Sequence, residues 1–72
     1  MYNSYFINRV RDFADGSTEP VDHLDYVEGD YYTVYGRLEN GEVRALADCP
    51  DLKAATDEML RIGLENEAGG TI

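Results

Sequence analysis

YYTVYGRLENGEVRALAD, residues 31–48, predicts a β-hairpin and decides the fold expected for the whole chain. Asn40-Gly41 suits a two-residue type I′ turn, because both central positions of that turn need positive φ. The turn would fix the pairing register of the two flanking strands. We therefore expect antiparallel strands at about 31–38 and 43–48.

This register sorts the side chains of the hairpin into two faces, because alternate positions of a strand share a face. One face collects apolar residues and glycine: Tyr32, Val34, Gly36, Leu38, Val43, Ala45, Ala47 and Cys49. Its small residues leave room for a helix. Tyr31 and Tyr35 on the other face also need cover, which the N-terminal segment or a second protomer would supply.

The segment after the hairpin predicts an amphipathic helix over about 50–65. Pro50 suits the first helical position, and Asp51 suits the positive N-terminal end of a helix. Apolar and small side chains recur at helical spacing on one broad face: Leu52, Ala55, Thr56, Met59, Leu60, Ile62 and Gly63. Residues 67–72 are expected to form a flexible tail, so that one small domain covers 1–66.

The first third of the chain is predicted to form helical segments. Phe6 and Val10 lie at helical spacing with the aromatic residues on either side, and Gly16 would end the helix. A third strand through 4–10, added to the hairpin, is the competing interpretation. A second short helix is predicted to begin at 17–18. The expected fold is α+β, in which a two-stranded antiparallel hairpin is packed by a C-terminal helix and covered by N-terminal helices.

Length and composition limit the classes of function. With 72 residues, the chain is a single domain whose thin core leaves little room for an enzyme pocket. Cys49 and His23 are each the only residue of their type, which excludes an intrachain disulfide, a usual zinc site and a catalytic triad. No enzyme activity, cofactor or metal is therefore expected. We expect Cys49 to be buried and structural, in a protein of the reducing cytoplasm.

Net charge is concentrated between Asp12 and Asp30. The whole chain carries −9, and this segment contributes −7, because it has seven carboxylates and no Lys or Arg. Such a concentration of one sign steers partners of the opposite sign. The candidate partner-binding residues are Asp12, Asp15, Glu19, Asp22, Asp25, Glu28 and Asp30. A basic protein is the expected partner, whereas direct binding to nucleic acid or an anionic membrane is not expected.

Two interpretations of this acidic segment stay open. If residues 19–28 are helical, their carboxylates fall three residues apart and line up in a row. Such a row has a spacing close to that of phosphates on a nucleic-acid strand, which predicts a DNA mimic. In the other interpretation, the segment is a solvated acidic surface that keeps a small protein soluble.

In size, acidity and expected α+β form, the chain resembles the small inhibitors that phages make against bacterial defence nucleases. These include anti-CRISPR and anti-restriction proteins of the DNA-mimic kind. The resemblance lies in overall character and in the acidic segment between Asp12 and Asp30. It implies a non-enzymatic inhibitor in the cytoplasm of a bacterial host. It also implies binding to a basic nucleic-acid-binding surface, such as that of a CRISPR effector.

A second hypothesis assigns the chain a different kind of interaction. In it, the chain is a homodimeric or accessory module that uses tyrosines rather than charge. Tyr31 and Tyr35 are the candidate contact residues, because tyrosine is enriched at protein interfaces.

Overall fold

The protein forms a four-stranded antiparallel sheet with one helix packed on it. A computed structural model describes the backbone of residues 2–70 and the side chains up to residue 65. The elements are β1 (Tyr2–Asp12), β2 (Thr18–Pro20), β3 (Tyr31–Leu38), β4 (Val43–Cys49) and α1 (Leu52–Gly70). The strands lie in the order β2-β1-β3-β4. The helix contacts β1, β3 and β4, which makes a small α+β domain.

The predicted two-stranded hairpin with helical N-terminal cover is wrong. Its two strands, β3 and β4, are half of a larger sheet, and the N-terminal segment is β1, one of the two inner strands. Phe6 and Val10 suggested a helix because they are four residues apart, but an even spacing also places two side chains on one face of a strand. Aromatic and β-branched residues, which make up five of the eleven residues of β1, favour strands. The competing third strand through 4–10 is therefore the better description of this part of the chain.

The predicted second helix is also wrong, because residues 18–20 form the edge strand β2. Both hairpins of the sheet use a three-residue loop, 14–16 in one and 39–41 in the other. In each, the N–H before the loop donates to the carbonyl after it at 2.8 Å. The third loop residue is Gly16 (φ +89°) or Gly41 (φ +88°), a left-handed conformation that suits glycine.

The register predicted for β3 and β4 is correct far from the turn and wrong close to it. Val34 pairs with Ala47, as predicted. Near the turn the pairing is shifted by one residue, so that Arg37 lies opposite Val43, and a β-bulge absorbs the shift. The type I′ turn does not form, because no residue other than glycine has positive φ in the described part of the chain. The shift moves Ala45 to the other face of the sheet.

The hydrophobic core lies between the sheet and α1. It centres on Val34, Cys49 and Ala55, and partly buried hydrophobic side chains surround these three: Ile7, Tyr32, Ala47, Ala54, Met59 and Ile62. Burial raises the pKa of the Cys49 thiol, and the expectation that this cysteine is buried is confirmed. The space left by the missing side chain of Gly36 is occupied by the Tyr2 ring and not by the helix. A Cβ built on Gly36 would lie 2.5 Å from Tyr2 Cδ1.

The helix begins and ends later than predicted. Asp51 caps its N-terminus by accepting a hydrogen bond from the Ala54 N–H at 2.8 Å, and the helix continues to Gly70 instead of ending near 65. The flexible tail predicted for 67–72 thus overlaps the last turns of α1. Residues 71–72 lie outside the described residues.

Candidate protein-interaction surface

The seven candidate carboxylates are spread over a hairpin and a loop. Asp12 ends β1, Asp15 lies in the β1–β2 turn and Glu19 lies on β2. The other four belong to the crossing loop, residues 21–30, which joins β2 to β3. Because this loop is built of turns, the helical row of carboxylates expected over 19–28 does not form. The carboxylates therefore do not repeat at the regular spacing of phosphates, and the structural argument for a DNA mimic is lost.

The crossing loop must pass over β1, because β2 and β3 lie on opposite sides of that strand. Two β-turns shape it, closed by hydrogen bonds from the Leu24 N–H to the Val21 carbonyl (2.9 Å) and from the Asp30 N–H to the Val27 carbonyl (3.0 Å). Gly29, at φ +100°, provides the left-handed position of the second turn. The loop crosses on the face of the sheet that α1 also covers.

Asp30 is buried at the end of this loop and is paired with two arginines of β1. Arg11 donates to both of its carboxylate oxygens, from Nε at 2.7 Å and from Nη2 at 3.0 Å. Arg9 Nε lies 3.3 Å from Oδ2, and the Val27 N–H donates to the same oxygen at 3.0 Å. The Arg11 hydrogen bonds are the largest cause of a pKa lowered to about 2. Asp30 is therefore a structural anchor rather than a contact residue.

The two arginines also hold the backbone of the crossing loop from its inner side. Arg9 Nη2 donates to the carbonyls of Val21, at 2.8 Å, and of Leu24. Arg11 Nη2 donates to the Asp25 carbonyl at 3.0 Å. The loop thus turns three of its polar backbone groups toward the sheet. Their side-chain partners come from two alternate positions of β1, which share a face.

Two carboxylates of the hairpin accept local hydrogen bonds and stay exposed. Asp12 accepts from the Tyr31 hydroxyl at 2.8 Å and from the Thr18 hydroxyl at 2.9 Å. Asp15 accepts from the Ser17 N–H at 2.9 Å and from its hydroxyl at 2.6 Å, and these bonds lower the pKa of Asp15. Both carboxylates order the β1–β2 hairpin, and their charges still face water.

The carboxylates of the crossing loop other than Asp30 point outward. Asp22 accepts from the Arg9 N–H at 2.8 Å and remains exposed. Glu19 on β2, with Asp25 and Glu28, is exposed and makes no side-chain hydrogen bond or ion pair within the described residues. We call the six exposed carboxylates the acidic surface: Asp12, Asp15, Glu19, Asp22, Asp25 and Glu28.

Within the described residues no Lys or Arg forms an ion pair with the acidic surface, and an exposed histidine, His23, lies among its carboxylates in the crossing loop. The two nearby arginines, Arg9 and Arg11, are mostly buried against Asp30. The remaining bases lie close to partners elsewhere: Arg44 to Glu42, Lys53 to Asp57, Arg61 to Glu58 and Glu65, and Arg37 to the Phe6 ring. Of the seven carboxylates predicted to form the site, Asp30 is thus buried, and the other six are exposed to solvent.

The two candidate tyrosines lie on the uncovered sheet face, the side opposite α1 that carries Phe6, Tyr31 and Tyr35. Tyr35 stacks on Phe6, with 5.1 Å between ring centroids and 16° between ring planes. Tyr31 is half-buried, and its hydrogen bond to Asp12 raises the pKa of its hydroxyl. No helix of the described chain packs on this face. Tyr35 therefore lies on the opposite face of the sheet from the crossing loop, whereas Tyr31 directly follows the loop and its hydroxyl contacts Asp12 of the acidic surface.

A shallow apolar groove runs between β1 and the second half of α1, with a volume of about 380 Å³. It is lined by Tyr5, Met59, Leu60, Gly63 and Leu64. Within the part of the chain that the structure describes, no three His, Cys, Asp or Glu side chains converge to hold a metal ion. No helix described here is long and apolar enough to cross a membrane.

Comparison with known proteins adds no information on function. No family model matches the chain, and neither a curated protein nor a solved structure matches it. A function can therefore be proposed only from the geometry and charge of the chain itself.

Proposed function

We propose that this chain is a non-enzymatic inhibitor whose acidic surface binds a basic nucleic-acid-binding surface of another protein. The nucleic-acid channel of a CRISPR effector or of a restriction nuclease, in the cytoplasm of a bacterial host, is the proposed kind of target. One observation carries the proposal. Six carboxylates face solvent at one end of the sheet, while the two nearest arginines are used internally on Asp30.

Electrostatic attraction is the proposed source of binding. A surface of one sign raises the rate of encounter with an oppositely charged partner and selects against like-charged ones. Channels that hold nucleic acid are lined with Lys and Arg, because they must neutralise phosphates. The carboxylates would occupy such a channel by charge and not by imitating the regular spacing of phosphates, since residues 19–28 are not helical.

The experiment that tests this function uses a panel of purified CRISPR effector complexes and restriction nucleases. DNA binding and cleavage by each enzyme are measured with and without the protein at 50 and 300 mM salt. We expect inhibition of at least one enzyme at the DNA-binding step, weaker at the higher salt concentration because ions screen the attraction. The absence of binding to every member at 50 mM salt would contradict the proposal.

The uncovered sheet face favours a second candidate function, a homodimeric or accessory interaction module. Phe6 and Tyr35 stack there with no helix or strand of the described residues over them, apart from the Arg37 guanidinium 5.7 Å from the Phe6 ring centroid, and Val43, on the same face, is 41% exposed. Burial of such a face against a second copy would remove its apolar side chains from water and add a further layer to the helix and sheet. Light scattering should then give twice the monomer mass, and Tyr35→Ala should return the protein to a monomer. A monomeric wild-type protein at high concentration would rule out the homodimer.

A further inference from the structure

The crossing loop exposes large apolar side chains in the midst of the acidic surface. Leu24 is 45% exposed, Tyr26 is 60% exposed and Val27 is 50% exposed. The exposed carboxylates of Asp25 and Glu28 lie between and beside them in the sequence. The loop therefore offers apolar contact area and negative charge in the same short segment.

These side chains are exposed because the loop is held by its backbone. The carbonyls of Leu24 and Asp25 accept from Arg9 and Arg11, and the Val27 N–H donates to Asp30. With these polar groups turned toward the sheet, Leu24 and Val27 stay about half exposed, and the Tyr26 ring keeps its exposure beside Arg9, whose guanidinium carbon lies 5.9 Å from the ring centroid. A loop fixed in this way loses little conformational freedom when it binds.

We infer that Leu24, Tyr26 and Val27 form the contact centre of the acidic surface and fit an apolar pocket ringed by Lys and Arg on a partner protein. This inference rests on the proposed function and names the part of the surface that provides affinity at close range. Interfaces place aromatic and aliphatic side chains at a desolvated centre and charges at a solvated rim. Because carboxylates surround these side chains, the rim of the partner's pocket must be positively charged.

Two synthetic peptides of equal length and lysine content test the inference. One peptide carries leucine at the positions where the other carries serine, and binding of each to the protein is measured by fluorescence anisotropy at 150 mM salt. We expect the wild-type protein to bind the leucine peptide about tenfold more tightly, because two or three apolar side chains become buried. The double variant Leu24→Ser/Val27→Ser should reduce this preference to about twofold or less.

The matched control is Leu60→Ser/Leu64→Ser, which removes apolar side chains that are 59% and 67% exposed on α1, away from the acidic surface. It should keep the preference for the leucine peptide, and thermal melts should show that both variants fold. The milder pair Leu24→Ala/Val27→Ala replaces the loop variant if serine prevents folding.

Three results would overturn the inference. The loop variant keeps the tenfold preference, the helix control loses it, or the wild-type protein binds both peptides equally well. In the last case, salt-sensitive binding of both peptides would leave the proposed acidic surface standing. If the wild-type protein bound neither peptide even at 50 mM salt, the proposed function would fail as well.

Discussion

Asp30→Asn should lower the melting temperature by on the order of 10 °C near neutral pH. The substitution keeps the shape of the side chain and removes the charge that pairs with Arg11 and Arg9. It leaves two mostly buried guanidinium groups without their carboxylate, at the point where the crossing loop joins β3. A small domain has little stability in reserve, so this loss is a large fraction of the total.

Asp25→Asn is the matched control, because it makes the same chemical change in the same loop. The Asp25 carboxylate is exposed and has no side-chain bond within the described residues, so the melting temperature should change by no more than about 2 °C. Equal melting temperatures for Asp30→Asn and the wild-type protein would contradict the role of Asp30 as an anchor.

The stabilising effect of Asp30 should depend on pH in a defined direction. Its pKa in the folded protein is about 2, below the ordinary value of 3.8, so the charged form favours the folded state. This contribution is complete above the ordinary pKa and is lost as the pH falls from about 4 to about 2. The gap in melting temperature between the wild-type protein and Asp30→Asn should thus be constant from pH 7 to 5 and narrow below pH 4. Comparing the two proteins cancels the titration of the other carboxylates.

The elements with local periodicity were predictable from the sequence, and those fixed by distant pairing were not. The strands β3 and β4 follow from alternation around Asn40-Gly41, and α1 follows from its apolar stripe. For the segment of β1 the sequence favours a helix and leaves a strand as the competing interpretation, because the four-residue step from Phe6 to Val10 fits both. Only the pairing of this segment along the whole of β3 decides between them.

The strand β2 was missed although the sequence contains its signal. Asp15-Gly16 occupies the same loop positions as Asn40-Gly41, and each polar side chain accepts a hydrogen bond from the N–H two residues later, at 2.9 Å. The helical interpretation of the first third of the chain instead takes Gly16 as the end of a helix. A strand of only three residues is too short for an alternation of apolar and polar side chains to indicate it.

The candidate site was predictable as a concentration of charge and not as a surface. Nothing in the order of residues separates Asp30 from the six outward carboxylates, because its partners lie far back in the sequence on β1. Arg9 and Arg11 are two residues apart and so share a face of a strand, but that clue has meaning only once β1 is known to be a strand. The predicted second helix would also have placed Leu24 and Val27, at helical spacing, on its inward face, whereas the crossing loop exposes both side chains.

The second large effect concerns binding. The triple variant Glu19→Lys/Asp25→Lys/Glu28→Lys reverses the charge of three outward carboxylates. It should bind the serine-containing lysine peptide of the previous section roughly thirtyfold more weakly than the wild-type protein at 50 mM salt. These three side chains hold no hydrogen bond within the described residues, so the fold should tolerate the change. The effect should shrink at 300 mM salt, where charges about 10 Å apart are screened.

Its control is Glu39→Lys/Glu42→Lys/Asp57→Lys, which reverses three exposed carboxylates outside the acidic surface. Each replacement of a carboxylate by lysine raises the net charge by two, so both triple variants change the net charge from −9 to −3. Glu39 and Glu42 lie at the β3–β4 turn, the opposite end of β3 from the crossing loop. Any effect of total charge is therefore equal in the two variants, although the control also breaks the exposed ion pairs of Glu42 with Arg44 and of Asp57 with Lys53.

The ratio of peptide affinities between these two triple variants, measured at 50 mM salt, tests the central claim most directly. The central claim is that Asp30 is buried and holds the crossing loop, whereas the exposed carboxylates of the acidic surface bind a basic partner. We expect the variant of the acidic surface to bind at least about tenfold more weakly than the control, which should stay within about threefold of the wild-type protein. Equal affinities for the two variants would show that binding follows total charge, and would contradict the assignment of function to this surface.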